Sequence, residues 1–256
     1  MRLSCLREGT AATAVILIHG WYADASVWSS LVPLLDPGER SVLLPQLRGA
    51  GRMRFAPGPW DGPTAVRDLV ELLDISGVER AVVIGHSMGG KIALALAAEI
   101  PERVESVVAV APVPPQGLAF DAKAWELYRA ALEKDAALAS LIGVLTRRRY
   151  PRDWAEREAA RARSAMSREA AAGYLESFVS RDLSAAVRGL AVPVLALCGE
   201  EDAAIGAELI RSALSPLCLH LTVESVPGAA HYLPLEAPGA LAVKINRWLG
   251  AATEGA

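Results

Sequence analysis

The sequence predicts an α/β fold: a mostly parallel sheet flanked by helices, with a helical lid inserted between two of its strands. Three observations carry this. Short β-branched apolar runs alternate with helical patterns along most of the chain, as the strand–helix units of a parallel sheet do. The runs are apolar at successive positions, which fits strands covered on both faces. Between about Val113 and Arg188 the alternation stops and only helical periodicity is left. The core is therefore expected over 1–112 and 189–256 and the lid over 113–188.

The strands follow in order: Ala14–His19, Ser41–Leu44, Ala81–Gly85, Ser106–Ala111, Val194–Gly199 and Leu219–Val226. Between them, Val27–Leu35 places Val27, Trp28, Leu31, Leu34 and Leu35 on one helical stripe, and Thr64–Leu73 does so with Val66, Leu69, Val70 and Leu73. Lys91–Glu99 is rich in alanine and leucine and stops before Pro101; Ala240–Leu249 is a last amphipathic helix. In the lid, helical phase runs through Lys123–Leu145, Trp154–Ala165 and Arg168–Val179, with Pro151 as a break.

The totals exclude several classes. In 256 residues, hydrophobic content of 52% against 21% charged describes a folded chain with room for one core. A net charge of −3 gives no global field for nucleic acid. Cys5, Cys198 and Cys218 form neither a disulfide framework nor a metal-binding pair. The N-terminal stretch has no long apolar core of a signal, and Ala14–Ile18 is too short to span a bilayer. A cytoplasmic protein with no membrane contact, metal or organic cofactor is expected, and oligomeric state is unreadable.

The chemistry-bearing segment is Gly85-His86-Ser87-Met88-Gly89-Gly90, between a strand and a helix. A serine in so tight a turn has a strained backbone and an exposed Oγ, and the flanking glycines give the room the turn needs. The hydroxyl needs a base. His231, in the loop Pro227-Gly228-Ala229-Ala230-His231-Tyr232 before the final helix, is the candidate; His220 lies in a strand pattern, His19 ends a strand and His86 flanks the nucleophile. The base needs an orienting carboxylate, and Asp202 sits just past a strand end, with Glu200 and Glu201 as rivals. A tetrahedral oxyanion needs fixed donors: the backbone N–H of Met88 and, from the loop His19-Gly20-Trp21-Tyr22, that of Trp21. Substrate contacts are expected from Trp21, Tyr22, His86 and Tyr232.

These segments resemble the α/β-hydrolase superfamily over essentially the whole chain. His19-Gly20 with Trp28, Arg48-Gly49-Ala50-Gly51, Pro101-Glu102-Arg103-Val104 and the Ser87, Asp202, His231 order all follow the family pattern. His19-Gly20-Trp21 and the length are similar to carboxylesterases that cleave the methyl ester of a carrier-bound pimeloyl group; the Gly-His-Ser-Met-Gly-Gly-Lys run is similar to general short-acyl esterases. The resemblance implies a serine esterase acting on a small-molecule ester through an acyl-enzyme, without a cofactor. Thioesterase, lactonase, carbon–carbon hydrolase, perhydrolase and acyltransferase chemistry use the same triad and stay open, as does a non-catalytic binding protein on this fold. Serine at 87 excludes relatives whose nucleophile is an aspartate. The family often has Asp at Gln46, His at Ala50 and Ser at Met53, so an altered loop is expected there. With 13 residues before the first strand, the opening hairpin is expected to shrink to one strand.

The lid carries Arg147-Arg148-Arg149, then Arg157, Arg161, Arg163 and Arg168, interleaved with Glu156, Glu158 and Glu169. The plain reading is a solvated helical face. The sharper one is a docking patch for an acidic acyl carrier protein or a carboxylate substrate.

Overall fold

A computed structural model describes residues 1–253. Its strands are β1 (Cys5–Glu8), β2 (Thr13–Ile18), β3 (Ser41–Pro45), β4 (Arg80–His86), β5 (Val104–Val110), β6 (Val194–Gly199) and β7 (Leu221–Val226). Among the described residues they form one seven-stranded sheet in the order β1-β3-β2-β4-β5-β6-β7. Only the β1–β3 pair is antiparallel within that sheet.

Period-two alternation assigns the two faces. Val15, Leu17, Val82, Ile84, Val108, Val110, Leu195 and Leu197 point to one apolar layer with Trp28, Leu241 and Ile245. Ile16, Ile18, Val83, Val107, Ala109, Val194 and Ala196 point to the other, shared with α1 (Gly62–Ile75) and α2 (Met88–Glu99). Because every central strand is covered twice, its run of apolar residues is continuous rather than alternating.

Between β5 and β6 the chain builds α3 (Ala122–Glu133), α4 (Asp135–Leu145), α5 (Arg152–Ala165), α6 (Arg168–Ser180) and the single turn α7 (Ser184–Val187). After β6 come α8 (Ala207–Leu214), α9 (Leu233–Glu236) and α10 (Pro238–Thr253). The insertion is tied to the sheet's carboxyl edge through backbone: Val113 N–H donates to Ser87 O at 3.0 Å and Ser167 N–H to Gly49 O at 2.9 Å. Ala50, one of the positions that depart from the family pattern, bridges Met166 just before α6; Gln46, another, is buried, its Oε1 accepting from Ala25 N–H at 3.4 Å.

Several elements differ from expectation. Val27–Leu35 is not one helix but two short 3-10 turns, Ala25–Trp28 and Val32–Leu34. Asp24 caps the first, and Pro33 has no N–H to continue a ladder. The expected helix Lys123–Leu145 breaks at Lys134, which is extended (φ −123°, ψ 128°). Helix α8 (8 residues, with Ile210 and Leu214 buried) is too short for its apolar spacing to stand out in the sequence. Leu219 and His220 are exposed and precede β7 instead of belonging to it.

Candidate active site

The site is built at the carboxyl ends of β4, β6 and β7. Ser87 joins β4 to α2 with φ 55° and ψ −116°, a left-handed conformation that costs a non-glycine residue energy and persists only where its surroundings impose it. They do so by close packing. A Cβ on Gly89 would lie 2.4 Å from Ile18 O, and one on Gly85 would lie 2.2 Å from Gly89 O. The Ser87 backbone is pinned as well, its N–H donating to Val110 O at 2.9 Å. Its hydroxyl does not cap α2, which leaves Oγ free to face outward.

His231 Nε2 lies 3.0 Å from Ser87 Oγ, and His231 Nδ1 lies 2.9 Å from Asp202 Oδ2. A carboxylate only accepts, so Nδ1 carries the proton and Nε2 presents a lone pair to the hydroxyl. Asp202 Oδ1 accepts from the amides of Ala204 and Ile205, each at 2.9 Å. Burial works to raise the Asp202 carboxyl, but the adjacent imidazole and these amides outweigh it and hold the group below the usual carboxylate range. The rivals Glu200 and Glu201 are exposed, and so is His220.

The amides of Trp21 and of Met88, the residue after Ser87, donate to no acceptor among the described residues. Gly20 lets the Trp21 loop come close: a Cβ there would sit 3.3 Å from Ser87 Cβ. His19 steadies that loop, fully buried, with Nδ1 3.0 Å from Gly20 O and Nε2 accepting from Leu47 N–H at 3.2 Å. Burial pushes its pKa down.

A cavity of about 60 Å³ opens at Ser87 and His231, walled by Trp21, Leu118, Phe120, Tyr128, Phe178 and Tyr232. Its lining holds no Asp, Glu, Lys or Arg among the described residues. The Trp21 ring is fixed by Nε1 donating to Ala171 O at 2.8 Å. Tyr22 is not brought to this cavity. Its backbone turns at φ 53°, its hydroxyl accepts from Arg163, and its ring lines a neighbouring cavity with Glu158 and Arg161. His86 lines the cavity, but its Nε2 is engaged by the His231 carbonyl at 2.9 Å.

The profile of the family described as the α/β hydrolase fold matches residues 13–238. The chain is an α/β hydrolase. The α/β hydrolase resembles two curated esterases, each a pimeloyl-acyl-carrier-protein methyl ester esterase. With that of Pectobacterium carotovorum it shares 29% identity over 237 residues, 88% of this chain and 89% of the relative. With that of Pectobacterium atrosepticum it shares 37% over 107 residues, 42% of this chain and 40% of the relative. Among solved structures, a hydrolase from Oleispira antarctica superposes with a TM-score of 0.86 at 15% identity, covering 97% of this chain and 95% of that one, a likeness of fold. Among the described residues of this α/β hydrolase, no group of His, Cys, Asp and Glu could hold a metal, and no helix is long and apolar enough to cross a membrane.

Two side chains of the site carried no sequence reading. Lys91 Nζ, buried beside the elbow, donates to Phe178 O at 3.1 Å and Arg181 O at 2.6 Å at the end of α6. A single charge within the apolar run before Glu99 was the available signal. Glu236, with a fully buried side chain, accepts from the amides of Ala230 and Tyr232 at 3.1 and 2.7 Å. Burial lifts its carboxyl against those amides and Arg149.

Proposed function

We propose that this α/β hydrolase cleaves carboxylic esters in two steps through an acyl-enzyme. The observation that carries the reading is the Ser87–His231–Asp202 relay, at 3.0 and 2.9 Å. Ser87 Oγ attacks the carbonyl while His231 Nε2 takes its proton; the imidazolium then returns that proton to the leaving alkoxide. Water, deprotonated by His231, releases the acid and restores Ser87. Asp202 orients the imidazole and stabilises its charge, and the Trp21 and Met88 amides receive the oxyanion. The helices of 113–188 act as a lid, since Leu118, Phe120, Tyr128, Leu145 and Phe178 wall the cavity from that side. The uncharged lining suits a neutral acyl group. Ser87→Ala is expected to lower turnover of p-nitrophenyl esters by at least about 10⁴-fold. It should also end labelling by a fluorophosphonate probe. Activity at the wild-type level in that variant sinks the reading.

A carrier-bound acyl substrate is a second reading, supported by the activity named for the two Pectobacterium relatives and by Arg147 and Arg148, exposed in consecutive left-handed conformations (φ 57° and 52°). The rest of the basic cluster is paired within the protein: Arg149 with Glu236, Arg157 with Asp153, Arg161 with Glu158, Arg163 with Asp135 and Arg168 with Glu133. Charge reversal at Arg147 and Arg148 is expected to spare small-ester turnover and reduce turnover of a carrier-bound ester. Equal retention of both removes the carrier.

A further inference from the structure

One buried imidazole touches the proposed base without taking part in proton transfer. His86 ends β4 and precedes Ser87; it is 3% exposed, and its Nε2 lies 2.9 Å from the backbone carbonyl of His231. A carbonyl only accepts, so Nε2 carries the proton. Nδ1, also buried, has no partner among the described residues and is therefore the unprotonated nitrogen. Burial and the neighbouring His231 push the ring's pKa down to about 3, so it stays neutral where esters are turned over.

His231 lies in an irregular loop after β7, where no strand ladder holds it. Its position depends on discrete bonds: its own N–H donates to Leu145 O at 3.2 Å, Glu236 takes the amides on either side, and His86 takes its carbonyl. The last bond differs from the others because it starts one residue from the nucleophile. It closes a ring that runs from the Ser87 backbone through the His86 side chain, the His231 carbonyl and the His231 imidazole back to Ser87 Oγ.

We propose that His86 is a positioning residue for the base: its Nε2–H holds the His231 peptide and thereby sets the approach of the imidazole to Ser87 Oγ. The inference rests on the triad reading above. Misplacement of reacting groups by about 1 Å costs about 10²-fold in rate. The bond therefore acts on the chemical step, and a merely apolar wall of the same shape would act on substrate binding instead.

Side-chain amides separate the two ring nitrogens. Glutamine can place its amide nitrogen near the Nε2 position, whereas asparagine reaches only the Nδ1 position. His86→Leu and His86→Asn are expected to lower kcat by about 10- to 100-fold with KM within about twofold of wild type. His86→Gln should recover kcat to within about threefold. Thermal unfolding of each variant is measured alongside. If His86→Leu does not fold, the Gln and Asn pair decides. The proposal is overturned if Gln and Asn have equal kcat, if Leu keeps wild-type kcat, or if the variants raise KM alone. Ser87→Ala run in parallel keeps the two readings apart. Retained activity there removes the triad, while an inert Ser87→Ala beside unperturbed His86 variants removes only this inference.

Discussion

The carboxyl edge of the sheet and the helical insertion above it are built by different physics. At the edge, Ser87, Asp202 and His231 follow β4, β6 and β7, and the turn that carries Ser87 is enforced by backbone. Ser87 is held at φ 55°, and the elbow glycines lie where no Cβ fits. The insertion contributes a cavity wall of large residues, Leu118, Phe120, Tyr128, Leu145 and Phe178, while α5 buries only the alanines Ala155, Ala159, Ala162 and Ala165. Besides the backbone bonds from Val113 and Ser167, it is tied down by side chains reaching backbone carbonyls: Lys91 to Phe178 and Arg181, Trp21 to Ala171, and Arg54 to Ser164 at 2.9 Å. Steric exclusion permits one arrangement, whereas side-chain tethers permit a graded set. The nucleophile turn should therefore resist change, and the acyl wall should be adjustable.

Paired glycine substitutions test that contrast at its largest. Gly89→Ala drives a methyl into Ile18 O and should destabilise the fold by about 3 kcal/mol, with loss of ester turnover. Gly143→Ala, within α4 and with nothing within 4 Å of the added carbon, should stabilise by about 0.5–1 kcal/mol with turnover unchanged. Urea unfolding of both variants checks the signs, and similar effects at the two positions would break the contrast.

The tether at Lys91 should give an intermediate, pH-dependent effect. Burial lowers this amine from 10.5 to about 8. Between those values the unfolded chain binds more protons than the folded one, so this residue's contribution to stability rises with pH across the window. Below about pH 8 both states are protonated and the desolvation cost is fully present. Lys91→Met should remove that rise, flattening the stability curve between pH 8 and 10.5 by a slope approaching about 1.4 kcal/mol per unit relative to wild type. Parallel curves would show that Asp182, the acid acting on this amine, or local solvent already compensates the charge. The smallest effect in this set concerns Phe178. Loosening its carbonyl should raise KM for longer acyl esters by a few-fold while leaving kcat for acetate esters in place, which a chain-length series measures.

Reading the chain without coordinates reached the sheet and the sharp turn at Ser87, because both depend on local pattern; Asp202 and His231 were named as its partners from their order along the chain. Strand runs show burial directly, and the glycines at 85 and 89 mark a turn no other residue fits. It did not reach the break at Lys134, where one continuous apolar phase hides two helices, nor the 3-10 turns at Ala25–Trp28 and Val32–Leu34, whose stripe mimics a helix. It expected Tyr22 among the substrate contacts, but Arg163, 141 positions away, takes the hydroxyl. Lys91 and Glu236 were unread because an isolated charge shows its role only once the carbonyls or amides it meets are known.

By itself, then, the amino-acid sequence determined which faces of the strands are buried and where the chain can turn sharply enough to expose a serine, since burial and steric room are properties of neighbouring residues. Tertiary structure alone decided that His231 closes on Ser87 from 144 positions away, that His86 holds the base by its backbone, and which side chains wall the cavity. Those contacts join loops that share no local pattern, and their distances arise only when the strands lie side by side.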